Sequence, residues 1–351
     1  MPLIRHRVLL VVAASSAALA AAACGGGSTK PLASGTDSPS PTASATPTPS
    51  PTAAAVYPLT GLPITNPATA NRPALSVKID NVDGALPQAG LNKADIVTDI
   101  LVEGGLTRLM ATFQSQDASL IGPIRSARPV DADLLRELGG GIFAYSGADP
   151  REIAPSKAHS TALLIANDYL PMWFWRSSLH SAPHNVFSST AKLYKAGRTY
   201  KPHMAAAPQL FTYSTAIPAS RAVNAVALRF SPDTSSAWTW SRGSYLRTQN
   251  GRPDVLLDGS RITATNIVIM SVTWHPTTII DDAGNADPYV VVIGSGLAWV
   301  MRDGHLVVGH WVRPSFRTPV KLVDATGQVI ALRPGRTWIE LQPRPYSPVF
   351  S

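Results

Sequence analysis

Read for its apolar and polar positions, the chain divides into three stretches. Val8 to Ala23 is one apolar run of 16 residues, broken only by Ser15 and Ser16. Residues 25–56 show no apolar periodicity at all. From Tyr57 onward, short apolar runs recur between turn signals, as in a folded body. In the first part of that body, Ala74–Ile79, Ile96–Val102 and Leu109–Phe113 suit buried strands, and Gly141–Tyr145 is a weaker strand. Val130–Leu138 carries Leu134, Leu135 and Leu138 and stops at Gly139, which predicts a helix with a glycine end. Arg151–Ala166 and Ser188–Ala196 are further helical candidates, the second capped by Ser188 and ended by Gly197.

Past Leu210 the pattern changes to strand: Val223–Phe230, Ser244–Thr248, Thr265–Trp274, Tyr289–Ile293, Leu297–Arg302, Leu306–Val312 and Thr337–Leu341. Turn pairs such as Asn250-Gly251, Asp258-Gly259 and Asp303-Gly304 separate several of them. The expectation is an α+β protein. An N-terminal mixed α/β domain covers residues 57–208, and a mostly β C-terminal domain covers residues 209–351. Six tryptophans, Trp238, Trp240, Trp274, Trp299, Trp311 and Trp338, fall in the second half, and core packing is their expected use.

The two leading stretches supply an address. Arg5, His6 and Arg7 precede the apolar run, and Ala21, Ala22 and Ala23 lead into Cys24, the one cysteine of the 351 residues. A charged start, a short apolar core and a small-residue cleavage site make a signal peptide at 1–23. The run is shorter than the ~20 residues a spanning helix needs. It resembles a bacterial lipobox, although Ala21 stands where leucine is usual. The expectation is that the Cys24 thiol is lipidated, placing the protein extracytoplasmically on the outer face of the cytoplasmic membrane. Residues 24–56 follow as a stalk. Pro31 to Thr52 is mostly Pro, Ser, Thr and Ala with six prolines, a composition that cannot offset its ordering entropy and favours extended polyproline II.

Charge alters this picture little. The formal +8 falls to +6 once Arg5 and Arg7 leave with the signal, and no run of like charges stands out. With no basic stripe or nucleic-acid motif, no nucleic acid is expected as partner. The expected partners are the membrane through the lipid, and a cell-wall polymer or a membrane protein.

Among motifs that carry chemistry, no phosphate loop, zinc-protease helix or nucleophile elbow is present. His180 and His184 have metal-like spacing, but Pro183 between them disfavours a shared helix face, so no metal site is assigned; the cofactor is unknown. One constellation is more specific. Glu103-Gly-Gly-Leu-Thr-Arg108 precedes Gly122-Pro-Ile-Arg125-Ser-Ala-Arg128-Pro129, with Asp131 and Asp133 at the following helix start. Two guanidinium groups on a proline-stiffened loop would suit a phosphate or carboxylate. Arg108, Arg125 and Arg128 are therefore the candidate anion-binding residues, with Asp80, Glu103, Asp131, Asp133, His184 and Asn185 as candidate polar support. The competing reading is that these arginines pair internally with Asp80, Glu103, Asp131 or Asp133.

The body also resembles the YerB-like lipoproteins, a family of uncharacterised two-domain envelope proteins. The strings that carry this are Pro58-Leu-Thr-Gly-Leu-Pro63, Lys78-Ile-Asp-Asn81, Val102-Glu-Gly-Gly-Leu-Thr-Arg108, Ile121-Gly-Pro-Ile-Arg-Ser-Ala-Arg-Pro129, Gly243-Ser-Tyr-Leu-Arg247 and Gly335-Arg-Thr-Trp-Ile-Glu-Leu341. One departure is Asp254, where the family often has histidine. The resemblance implies an envelope binding or accessory protein. The layout of a Thr-Arg strand followed by an arginine loop is also similar to that of the LytR-CpsA-Psr enzymes. That similarity implies an alternative: an enzyme acting on phosphate-bearing wall or polyprenyl-phosphate substrates, with Asp131 or Asp133 holding metal or proton.

Overall fold

The computed structural model describes residues 55–281 and 283–351, so Cys24, the signal and the stalk lie outside the described residues. In chain order the principal elements of the first half are β1 (Leu75–Asp80), β2 (Ile96–Leu101), β3 (Thr107–Phe113), α1 (Asp131–Glu137), β4 (Ile142–Tyr145), α2 (Pro150–His159), β5 (Leu163–Ala166) and α3 (Thr190–Tyr200). The second half adds β6 (Ala225–Arg229), β7 (Ser235–Ser241), β8 (Ser244–Gln249), β9 (Asn266–Ile280), β10 (Ala286–Val291), β11 (Gly294–Arg302), β12 (His305–Arg313), β13 (Lys321–Val323) and β14 (Thr337–Pro343). It is mostly strand, as its alternation predicts.

A single twelve-stranded sheet runs through both halves, in the order β13-β12-β11-β9-β14-β2-β3-β1-β4-β5, with β10 paired beside β9 and the short strand Arg221–Ala222 beside β12. The link between halves is β14, which lies parallel to both β2 and β9, with Thr337 opposite Ile96 and Asn266. The expected division at 208/209 is therefore crossed by one continuous set of backbone hydrogen bonds. Every residue of β1, β2 and β3 is buried, the polar Ser76, Lys78, Asp80, Thr98 and Asp99 included, so both faces of this central sheet are covered.

The covering layers follow from alternation. Ile96, Thr98, Ile339 and Leu341 look toward α1, where Leu134 and Leu138 meet them. Asp99, Trp338 and Glu340 look the other way, toward a second, six-stranded antiparallel sheet built on β6, β7 and β8. Trp238 of β7 meets Trp338 edge to face at 5.1 Å, and both are buried in the core, as expected for tryptophans here. By contrast Trp274 is exposed.

Three local expectations are corrected. Arg151–Ala166 is not one helix: α2 stops at His159, Ser160 is already extended, and Leu163–Ala166 becomes β5 beside β4. The last helix of the first half is capped by Ser189, not Ser188, and runs past Gly197 to Tyr200. Gly197 is there for proximity, since a Cβ would sit 2.5 Å from the Ile142 side chain. Strand β7 lacks an apolar run, because Ser235, Thr239 and Ser241 face outward and Ser236 takes an inward position beside Trp238.

Gly139, Gly140 and Gly141 do end α1, all at positive φ. Gly141 also brings the chain against β1, where a Cβ would meet the Ala74 carbonyl at 2.2 Å.

Candidate functional site

The C-terminal end of β1 and the start of β3 face each other in antiparallel register, Asp80 opposite Arg108. The loop carrying Arg125 and Arg128 crosses this end, held by hydrogen bonds from the Arg125 amide to the Lys78 carbonyl and from the Ala127 amide to the Gly147 carbonyl. The first turn of α2 and the tip of the β9–β10 hairpin close the sides. Between them lies an open, polar cleft of about 660 Å³, on which Arg108, Arg125 and Arg128 converge together with Glu103, Glu152 and Asp287.

The three arginines are not equivalent. Arg128 is 5% exposed and its guanidinium is surrounded by carboxylates. Its Nε donates to Glu103 Oε2 at 2.7 Å and its Nη2 to Glu103 Oε1, while Nη1 lies 3.1 Å from Glu152 and Nε 3.3 Å from Asp287. Arg108, also buried, donates to Glu103 Oε1 at 2.7 Å and to the Ser126 carbonyl at 3.2 Å. Only Arg125 keeps a quarter of its side chain in the open, 3.3 Å from Asp80. A fourth arginine, Arg176, lies exposed on the cleft with its Nη1 on Asn185 Oδ1 at 2.7 Å. Internal pairing thus accounts for Arg108 and Arg128. Arg125 and Arg176 are the guanidinium groups with accessible donors.

The carboxylates divide similarly. Burial alone would raise Glu103, but the hydrogen bonds from Arg128 and the charges of Arg108 and Arg128 bring it down to about 2. Asp287 is the opposite case: burial, reinforced by the charges of Glu152 and Glu103, pushes it up to about 7 against the pull of Arg128 and Arg108. Neither of its oxygens accepts a hydrogen bond. Burial also raises Glu152, despite Arg128 beside it. Asp287 can therefore exchange a proton near neutrality. Among the described residues, however, neither Ser126 nor Ser146 in the cleft donates its hydroxyl to a histidine or carboxylate, so no activated nucleophile accompanies it.

The other predicted support residues sit around the cleft rather than in it. Asp80 is buried and receives His184 Nδ1 at 2.7 Å as well as Arg125. Asp131 accepts from the buried Lys78 at 2.6 Å and from the Arg128 amide at 2.7 Å, so it braces the arginine loop from below. Asp133 accepts from the Tyr289 hydroxyl. Neither Asp131 nor Asp133 reaches the cleft, which removes the metal or proton role given to them in the enzymatic alternative. His180 and His184 serve different partners, the Pro87 carbonyl and Asp80, and no cluster of metal-ligating side chains occurs among the described residues.

Sequence reading missed Glu152, Asp287 and Arg176. Asp149 and Glu152 form a capping box at the start of α2, a readable motif whose second member here also faces Arg128. Asp287 and Arg176 carry no local signal.

Comparison with known proteins finds two matching family models along the chain. Residues 59–203 match the family model described as "Protein of unknown function (DUF3048) N-terminal domain", and residues 226–339 match its C-terminal domain. A Bacillus subtilis (strain 168) protein named "Putative lipoprotein YerB" is 31% identical over 297 residues, covering 82% of this chain and 86% of that protein. The crystal structure of YerB protein from Bacillus subtilis superposes with a TM-score of 0.72 at 26% identity, covering 84% of this chain and 99% of that one.

Proposed function

This chain belongs to the DUF3048 family through both of that family's domains, and from that premise we propose a lipid-anchored binding protein of the cell envelope. Its anchor is the lipidated Cys24, its spacer is the stalk, and its binding element is the arginine cleft, which takes an anionic group of an envelope ligand. The observation that carries the reading is the convergence of Arg108, Arg125 and Arg128 on one open cleft. Their division of labour refines it. Arg108 and Arg128 are fixed by Glu103 and shape the floor, while Arg125 and Arg176 offer donors to a ligand. The name of the Bacillus subtilis relative supports the anchor, as does the basic, apolar, small-residue run before Cys24. No helix of the described residues is long and apolar enough to cross a membrane.

Two outcomes are expected. Cys24→Ala should move the protein from the membrane fraction to the medium, or leave it unprocessed, because a diacylated cysteine supplies the two chains that stable attachment needs. Fractionation and immunoblotting check this; a variant still processed and still membrane-bound after a salt wash would assign the anchor elsewhere. For the cleft, titration of the purified body with acetate and with inorganic phosphate should shift the NMR signals of the Arg125 and Arg176 side-chain N–H groups. Arg125→Lys keeps the charge but loses the fork of donors, and should abolish the response with little change in melting temperature. Side-chain signals unmoved by either anion would refute the anion reading.

A further inference from the structure

We propose that the cleft has a second pole, at Asp287, which receives an ammonium group, so that the ligand is a zwitterion: an amino acid or short peptide with a free amine and a free carboxylate. This rests on the reading of Arg125 and Arg176 as the anion-binding pole.

The argument begins with a charge imbalance. Around the Arg128 guanidinium stand Glu103, Glu152 and Asp287, and among the described residues the cations that pair with them are Arg128 and Arg108. Glu103 takes the hydrogen bonds of both arginines, and Glu152 spends its other oxygen on the Asp149 amide at the start of α2, 2.8 Å away. Asp287 is left over. It is 2% exposed and lines the cleft, and its 3.3 Å approach to Arg128 Nε includes no hydrogen bond to either oxygen. A buried carboxylate with an empty acceptor is costly unless something donates to it. Among the described residues of the rim beside it, Asp281 is engaged in its own turn and the one cation, the exposed Arg151, is paired with Asp149. A ligand cation is the complement that side of the cleft lacks.

Arg125 and Arg176 lie on the same cleft and carry the opposite sign. A cleft of about 660 Å³ with a positive and a negative station recognises a molecule bearing both charges. Two donors on a primary ammonium suit the two free acceptors of Asp287, whereas phosphate or a simple carboxylate satisfies the arginines and leaves Asp287 bare. A divalent cation fits less well, because no group of three side chains placed to hold a metal ion occurs among the described residues.

The probe is the dipeptide alanyl-alanine, compared with its N-acetyl form and its C-terminal amide, against the full body by NMR titration and calorimetry. The dipeptide should bind at least tenfold more tightly than either blocked form. Asp287→Asn should lose that advantage over the N-acetyl form and keep the advantage over the amide. This variant removes surplus charge and leaves Arg128 with two carboxylates, so it should fold normally, which its melting temperature verifies. Because Asp287 lies near neutrality, flanked by Arg128, Arg108, Glu103 and Glu152, affinity should rise from pH 6 to pH 8 in the wild type and be flat in Asp287→Asn. Equal binding of the dipeptide and its N-acetyl form, or no binding of any of the three, overturns the proposal. Equal binding of the dipeptide and its amide, with the N-acetyl form excluded, supports the ammonium pole of the proposal while refuting the arginine pole on which the anion reading stands.

Discussion

Arg247→Ala is expected to destabilise the protein by about 3–5 kcal/mol, the range seen when one partner of a buried ion pair is removed. Arg247 is wholly buried in β8, between the two sheets. Its Nη2 donates to Asp99 of β2 at 2.7 Å and its Nη1 to Asp254, and its guanidinium lies 4.8 Å from the centre of the Trp338 ring. Removing it leaves two carboxylates of the interface without a counter-charge. It also leaves a cavity that neighbouring Trp238 and Trp338 cannot fill without moving. Glu340 aggravates the loss: burial and the charge of Asp99 already hold its carboxyl above the ordinary range, where it accepts from Trp238 Nε1 at 2.6 Å. Urea unfolding measures the effect. Arg247→Met, which restores volume but no charge, separates packing from electrostatics and should remain strongly destabilised. A variant within 1 kcal/mol of the wild type would mean that the cluster contributes nothing net. Asp254 belongs to this cluster and supplies a second counter-ion for Arg247.

The second large effect is expected at the cleft floor. Glu103→Gln should cost about 3 kcal/mol at neutral pH, because Arg108 and Arg128 would remain buried side by side with their shared acceptor neutralised. The pH dependence identifies the cause. A carboxyl brought from 4.5 to about 2 by folding stabilises the native state above pH 4.5, and that contribution fades as pH falls toward 2. The stability gap between wild type and Glu103→Gln should therefore be full at pH 7 and shrink below pH 4.5. A gap that stays constant down to pH 3 would point to packing instead. Against this, Arg125→Lys on the same loop should leave stability nearly unchanged.

Much of the fold was legible because burial leaves a direct trace in sequence. Leu75, Val77 and Ile79 of β1, Ile96, Val97, Ile100 and Leu101 of β2, and Leu109, Met110 and Ala111 of β3 are the buried apolar positions that mark these strands, although Ser76, Lys78, Asp80, Thr98 and Asp99 are buried between them. Two kinds of element escaped. Ala162-Leu-Leu-Ile-Ala166 satisfies helical and strand patterns equally, and only pairing with β4 decides it. Ser235–Ser241 hides Trp238 and Trp240 among residues typical of turns. The cleft was half legible for a comparable reason. Arg125 and Arg128 stand together on a stiff loop, a local signal, whereas Glu152 and Asp287 come from a helix and a hairpin more than a hundred residues apart and meet only through packing. The partners of Asp131 and Asp133, Lys78 and Tyr289, are likewise remote in sequence, 53 and 156 residues away.

The position of β14 also sets a timetable. Its register places Thr337 beside Ile96, so the inner edge of the first-half strands has no neighbour until almost the whole chain is present. A polypeptide emerging from its N-terminus must keep one edge of β2, whose other edge pairs with β3, unmatched for some 240 residues of further synthesis or threading. Such long-range closure is slow, and an unpaired apolar strand invites wrong partners meanwhile. The native state is thus sealed from its far end: the last long strand acts as a keystone, and whatever shields the waiting edge of β2 governs how much of the protein reaches that state.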